Sequence, residues 1–233
     1  MRLKLTWLLG GFGAFAAGVA SLPAHAGAGG DRQVASAEFT RMAPGVSTGL
    51  EIEIDYMNPA DPAGKPPAVR EIRLRLARPS AIDTSALPTC EADNAELQAS
   101  GAAACPESRL GGGAVVIDTG FPEPLRFLTN DLTLLNSTGE VIFLFEEQGS
   151  GVRLASRAAI EGDTITSTAP LLPGTPPDGA AVDTVSETFE QAAAAGYLTT
   201  PGRCPPRGFW RNRLRFTYDD GTVQRVLSPS PCR

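Results

Sequence analysis

Between Leu50 and Tyr56 the chain alternates strictly, Leu50-Glu51-Ile52-Glu53-Ile54-Asp55-Tyr56, with apolar side chains two apart and acids between them. A period of two belongs to a strand with one face on a core and the other in water. Asn58 to Pro67 holds four prolines and a glycine and reads as a loop. Alternation resumes from Val69 to Ala77, where Ile72, Leu74 and Leu76 are interleaved with Arg73 and Arg75. The acidic outer face of the first strand and the basic outer face of the second predict that these two pair. Further on, Gly111-Gly112-Gly113 leads into a strand over Ala114 to Ile117. A meander follows: strands at Leu132 to Leu135, Val141 to Phe145, Val152 to Ile160 and Thr164 to Thr168, separated by turns that each contain a glycine. Strands recurring at intervals of about 8 to 12 residues argue for a sandwich or barrel.

Three segments qualify this all-β pattern. Glu91 to Ala99 is rich in helix formers, carries acids in its first turn and is followed by Gly101, which predicts one short helix. Leu171 to Ala180 is a Pro/Gly loop. Beyond it, Val182 to Phe189 is β-branched and alternates through Val185, Glu187 and Phe189, although Thr184-x-x-Glu187 also fits a helix capping box. We read a strand running into a short helical turn over the alanine-rich Gln191 to Ala195. The last unit, Leu214 to Tyr218, Asp219-Asp220-Gly221, Thr222 to Leu227, is a hairpin with the Asp-Gly turn that right-handed strand twist selects.

The first 26 residues stand apart. A basic start at Arg2 and Lys4, an apolar run from Leu5 to Val19 and the small-residue pattern Ala24-His25-Ala26 read as a cleavable export signal. The run is about 15 residues long, shorter than the ~20 that span a bilayer, and no membrane span is expected in the mature chain. Residues 27–33 read as a flexible tail and residues 34–233 as a single β domain, secreted or held at the cell envelope. Removing Arg2 and Lys4 from 20 basic residues leaves 18 against 26 acidic ones, a net charge of −8. Acids and arginines are interleaved along the strands, so no basic face is expected for a nucleic acid.

Cys90, Cys105, Cys204 and Cys232 in an exported chain predict two disulfides. Three pairings are possible; the local one, Cys90 with Cys105 and Cys204 with Cys232, is favoured because each pair brackets one supersecondary unit. The first would clamp the predicted helix. There is no Cys-x-x-Cys and no histidine partner, which argues against a redox or zinc site.

Two stretches, Asp83-Thr84-Ser85-Ala86-Leu87-Pro88-Thr89-Cys90 through Cys105-Pro106-Glu107-Ser108-Arg109-Leu110-Gly111, and Thr200-Pro201-Gly202-Arg203-Cys204-Pro205 with Trp210, Phe216, Tyr218, Asp220-Gly221 and Pro231-Cys232, carry a resemblance. They resemble a pattern in uncharacterised secreted proteins of GC-rich, actinobacterial-type bacteria. The resemblance implies an immunoglobulin-like antiparallel β-sandwich with two local disulfides and implies no activity. Together with the strand pattern it sets the expected fold: an all-β sandwich of about 8 to 10 strands with one short disulfide-clamped helix.

Candidate chemistry is sparse. The sole histidine, His25, lies within the signal, so cleavage leaves a chain without imidazole and without Ser-His-Asp, Cys-His or the usual zinc hydrolase sites. Lys65, the one lysine outside the signal, lies in a proline-rich loop poorly suited to a desolvated base. Glu146 and Glu147 end an apolar strand, but neighbours on a strand point to opposite faces, which argues against a catalytic pair. Asp55, Asn58 and Asp61, or Asp219 and Asp220, could in principle take calcium; both groups read first as turn chemistry and neither has EF-hand spacing. Asn136-Ser137-Thr138 is an N-glycosylation triplet. Trp210 is expected in the core against a disulfide rather than on a carbohydrate platform with Phe209 and Tyr218. We therefore expect no catalytic residue, no metal and no cofactor. The expected role is that of a non-enzymatic binding or envelope-associated module, its partner a protein or an envelope glycan; the alternative is a carboxylate-dependent extracellular hydrolase of the glycosidase kind. A binding module predicts an exposed apolar patch, a glycosidase two carboxylates about 5 to 9.5 Å apart in a cleft.

Overall fold

A computed structural model describes residues 30–170, 172, 174–176 and 179–233. The expected signal over 1–26, with His25, and residues 27–29 of the expected tail lie outside the described residues. The strands are β1 (Gln33–Phe39), β2 (Leu50–Tyr56), β3 (Val69–Arg75), β4 (Ala81–Ile82), β5 (Arg109–Asp118), β6 (Phe127–Ser137), β7 (Glu140–Glu147), β8 (Arg153–Glu161), β9 (Thr164–Thr168), β10 (Ala181–Thr188), β11 (Leu198–Thr199), β12 (Phe209–Tyr218) and β13 (Val223–Pro231). Helix α1 (Asn94–Ser100) runs into two short 3-10 turns, and α2 (Ala192–Ala195) is a single turn ended by Gly196 in the left-handed region, φ 81°.

Eleven strands form one antiparallel sheet in the order β1-β2-β10-β5-β6-β7-β8-β9-β3-β12-β13, and β11 and β4 form a small second ladder. The all-β, antiparallel sandwich architecture is present in a rolled variant. The sheet curls until β1 lies beside β13, and strands from both halves feed one core through Ile52 and Ile54, Leu74, Leu132, Leu214 and Phe216. The strand number exceeds the 8 to 10 expected because β1 carries no clean alternation and β4 and β11 have two residues each.

The seam between β1 and β13 is sealed by side chains. Ser228 and Ser230 face inward while Pro229 and Pro231 face out, so the prolines supply no N–H to the ladder and the serine hydroxyls take over the bonding. Ala37 N–H donates to Ser228 Oγ at 2.8 Å, Ser228 Oγ donates to Ala37 O at 3.0 Å, and Phe39 N–H donates to Ser230 Oγ at 2.9 Å. Asn212 of β12, fully buried, ties the same place together: its Nδ2 donates to Ala37 O and its Oδ1 accepts from Ala77 N–H.

The predicted pairing of β2 with β3 is not what forms. Strand β2 lies between β1 and β10, and β3 between β9 and β12. The outer charges are balanced elsewhere: Glu71 pairs with Arg215, and Asp163, at the β8–β9 turn, meets Arg75 and Arg78. The glycine triplet also lies inside β5 rather than before it. A Cβ at Gly111 or Gly113 would stand 1.9 Å from a carbonyl oxygen of β10, so only glycine lets the two strands approach this closely.

Strand β7 is apolar on both faces because both are covered. Val141 and Phe143 turn into the main core, whereas Ile142 and Leu144 lie under α1, where Leu97, Ala92 and Cys90 complete a second small core. The helix is capped by Asp93, whose carboxylate accepts from Glu96 N–H at 2.8 Å, and is clamped by the Cys90–Cys105 disulfide. A second disulfide joins Cys204 to Cys232. Trp210 packs edge-on against Phe39, ring centroids 5.6 Å apart, and its indole N–H donates to Arg203 O.

Candidate functional site

The inward positions do not fill the rolled sheet. Along β10, Val185 and Glu187 alternate inward, opposite Ile54 and Ile52 of β2. A cavity of about 120 Å³ lies here, walled by side chains such as Ile54, Leu74, Phe143, Ile165, Val185 and Leu214. It shares Val69, Val115, Phe145 and Val182 with a larger outer cavity of about 910 Å³ at the end of the barrel where β5, β7, β9 and β12 finish. The combined space is in the range that holds a small organic molecule. Strand β10 carries a bulge between Val182 and Thr184, and Glu187 lies two residues, about 7 Å, beyond Val185, which pairs with the shared Val115.

The rim is apolar and exposed. Leu125, Phe127 and Val152 line the outer cavity with 62%, 41% and 66% of their surface accessible, and Phe121, in the same β5–β6 connection, is likewise exposed. These side chains form an exposed apolar patch continuous with an apolar interior. The connection is well fixed. Asp118 is buried and accepts from Arg126 Nη2 at 3.1 Å; the same guanidinium donates to Ala63 O at 2.8 Å and lies 4.8 Å from the Phe127 ring centre.

Four polar side chains, Tyr56, Ser156, Ser167 and Glu187, interrupt the inner wall. Glu187 is buried among apolar side chains, and this desolvation, reinforced by the charge of Glu53, pushes its pKa up to about 8. No donor among the described residues reaches its carboxyl. The Tyr56 hydroxyl is buried without a hydrogen-bond partner, and burial raises its pKa well above the usual tyrosine range.

Of the residues singled out from sequence, Glu147 and Asp219 stand on the wall of the outer cavity, and the others lie elsewhere or serve the frame. Glu146 pairs with Arg153 at 2.7 Å, and Arg153 also donates to Ala99 O at the end of α1. Glu147 accepts from the N–H groups of Gly149 and Ser150, and the Ser150 side chain together with these N–H groups holds its pKa below the usual carboxylate range. Lys65 donates from Nζ to Thr175 O at 2.7 Å and to Gly179 O, pinning the β9–β10 connection beside the outer cavity. Asn58 caps its own turn through Ala60 and Asp61 N–H, and Asp220 pairs with Arg32 at 2.8 Å. Among the described residues no group of three or more His, Cys, Asp or Glu side chains is placed to hold a metal. Asn136 is fully buried and donates to the carbonyls of Thr84, Leu87 and Pro88, so the glycosylation triplet is a loop anchor.

Sequence reasoning passed over Glu187 as a site. The available signal was its phase: it alternates with Val185 and Phe189, which places an acid on the inward face of a strand.

No family model and no curated protein matches the chain. Among solved structures, the crystal structure of group B streptococcus pilus 2b backbone protein is similar over 83% of this chain and 56% of that one, with 13% identity and a TM-score of 0.31. The chain thus corresponds to little more than half of that protein's length. So slight a likeness carries no argument, and the resemblance to actinobacterial-type secreted proteins gains no match. Among the described residues no helix is long and apolar enough to cross a membrane.

Proposed function

We propose that the chain is an exported, non-enzymatic binding module that holds an apolar small molecule inside its rolled sheet. The observation that carries this reading is the pair of connected apolar cavities with an exposed apolar rim. Support also comes from the acids: Glu146 is paired with arginine, Glu147 caps a turn, and Glu53 lies on the outer face while Glu187 lies on the inner one. A glycosidase needs two carboxylates converging on one bond. Two disulfides suit a protein that works outside the cell or at its envelope. The small molecule replaces the protein or glycan partner expected from sequence, because the apolar surface is concave and continues inward.

The test is fluorescence of phenylnaphthylamine, a neutral apolar dye, titrated with the purified mature chain. Saturable enhancement is expected, weakened at least about tenfold by Val182→Trp, which fills the junction of the two cavities, with the far-ultraviolet circular dichroism unchanged. No enhancement with the wild-type chain would overturn the reading.

A further inference from the structure

A cavity lined only by hydrocarbon would select by size and shape alone. This one carries Glu187, a buried acid whose carboxyl receives no hydrogen bond from the described residues. Such an arrangement is uncommon in folded proteins, because burial takes away hydrogen bonds the group made to water. Resting on the function proposed above, we propose that the cavity takes an apolar ligand bearing one neutral carbonyl, whose oxygen meets Glu187 at the inner end while the apolar remainder lies toward Leu125 and Phe127.

The choice of a neutral acceptor follows from the groups present. Buried where a charge is poorly solvated, the Glu187 carboxyl stays protonated at neutral pH and presents an O–H donor. A donor calls for an acceptor. The hydroxyl-bearing residues of the inner cavity are Tyr56, Ser156 and Ser167, and Ser156 already donates to Thr168 O. An ammonium ligand would have to ionise Glu187 and bury an ion pair among apolar side chains, a costly arrangement without further hydrogen bonds. A carboxylate ligand would find no cation in the inner cavity, where no Lys or Arg stands among the described lining residues. The polar end goes inward because Glu187 lies beyond the shared residues Val182 and Val115, two residues past Val185 on β10, whereas the rim offers Leu125, Phe127 and Val152 to the apolar end.

Displacement of phenylnaphthylamine separates the possibilities, using three straight-chain competitors of equal length: an alkane, a methyl ketone and a primary amine. The ketone is expected to displace the dye about tenfold more effectively than the alkane, the worth of one good hydrogen bond in an apolar site. Glu187→Leu abolishes that preference while dye and alkane still bind, which shows that the cavity itself is intact. Glu187→Gln keeps a donor and keeps the preference. Equal displacement by ketone and alkane on the wild-type chain would overturn the carbonyl assignment and leave the apolar cavity standing. So would an amine that outcompetes the ketone and loses this advantage in Glu187→Gln. A dye that does not bind the wild-type chain would overturn both readings.

Discussion

Glu187 ties the stability of the fold to pH. Its pKa is about 8 in the folded protein and near 4.5 when exposed, so the folded state holds a proton that the unfolded state releases. That contribution is fully present below about pH 4.5 and is lost as pH rises toward 8, at no more than about 1.4 kcal/mol for each pH unit. Asp163 works in the opposite sense: its hydrogen bond from Arg78 lowers its pKa, so its contribution disappears on acidification below the normal aspartate range. Urea unfolding between pH 5 and 8 should therefore show wild-type stability falling with pH and a flatter profile for Glu187→Gln. Equal slopes for the two proteins would mean that Glu187 is ionised in the fold.

At the scale of elements, the weakest join is the β1–β13 seam, because a few hydroxyl groups replace a continuous backbone ladder. Ser228→Ala strands the N–H of Ala37, whereas its carbonyl keeps the bond from Asn212 Nδ2. A loss of about 1–3 kcal/mol is expected from the orphaned buried N–H. Denaturant midpoints at constant slope would show it, and a change under 0.5 kcal/mol, of the order of an ordinary surface substitution, would place the closure of the sheet elsewhere. Helix α1 depends on its cover in the same way. Leu97 is fully buried between the helix and β7, and Leu97→Ala should cost about 2–4 kcal/mol, a loss that calorimetry would register. Alternation and turns made β2, the meander, α1 and the final hairpin legible from sequence, although β6 and β12 each start five residues earlier than read. Strand β5 was cut short because a glycine triplet reads locally as a loop. Only the neighbouring strand β10, some 70 residues away, shows why glycine is needed there.

For the whole molecule, closing the sheet brings Ala37 to Ser228, 191 residues apart, so the last contacts to form are among the least local in the chain. All-β domains of this kind fold in milliseconds to seconds, and contacts that form late change unfolding rates more than folding rates. With disulfides intact, Ser228→Ala should speed unfolding while leaving refolding within about twofold of wild type; stopped-flow fluorescence of Trp210 would report both, and an equal slowing of refolding would put the seam in the folding nucleus. The sequence by itself determined the period of each strand, the turns between them, the all-β class and the scarcity of catalytic groups, because all of these depend on residues close together along the chain. It also placed Glu187 in phase with Val185 and Phe189 without saying what that phase meant. Only the tertiary structure decided that β2 and β3 part company, that serines close the sheet and that its rolled halves stand far enough apart to leave a cavity. Those outcomes depend on which distant strands meet and on how well their inward side chains fill the space between them, and alternation along one strand carries no record of either.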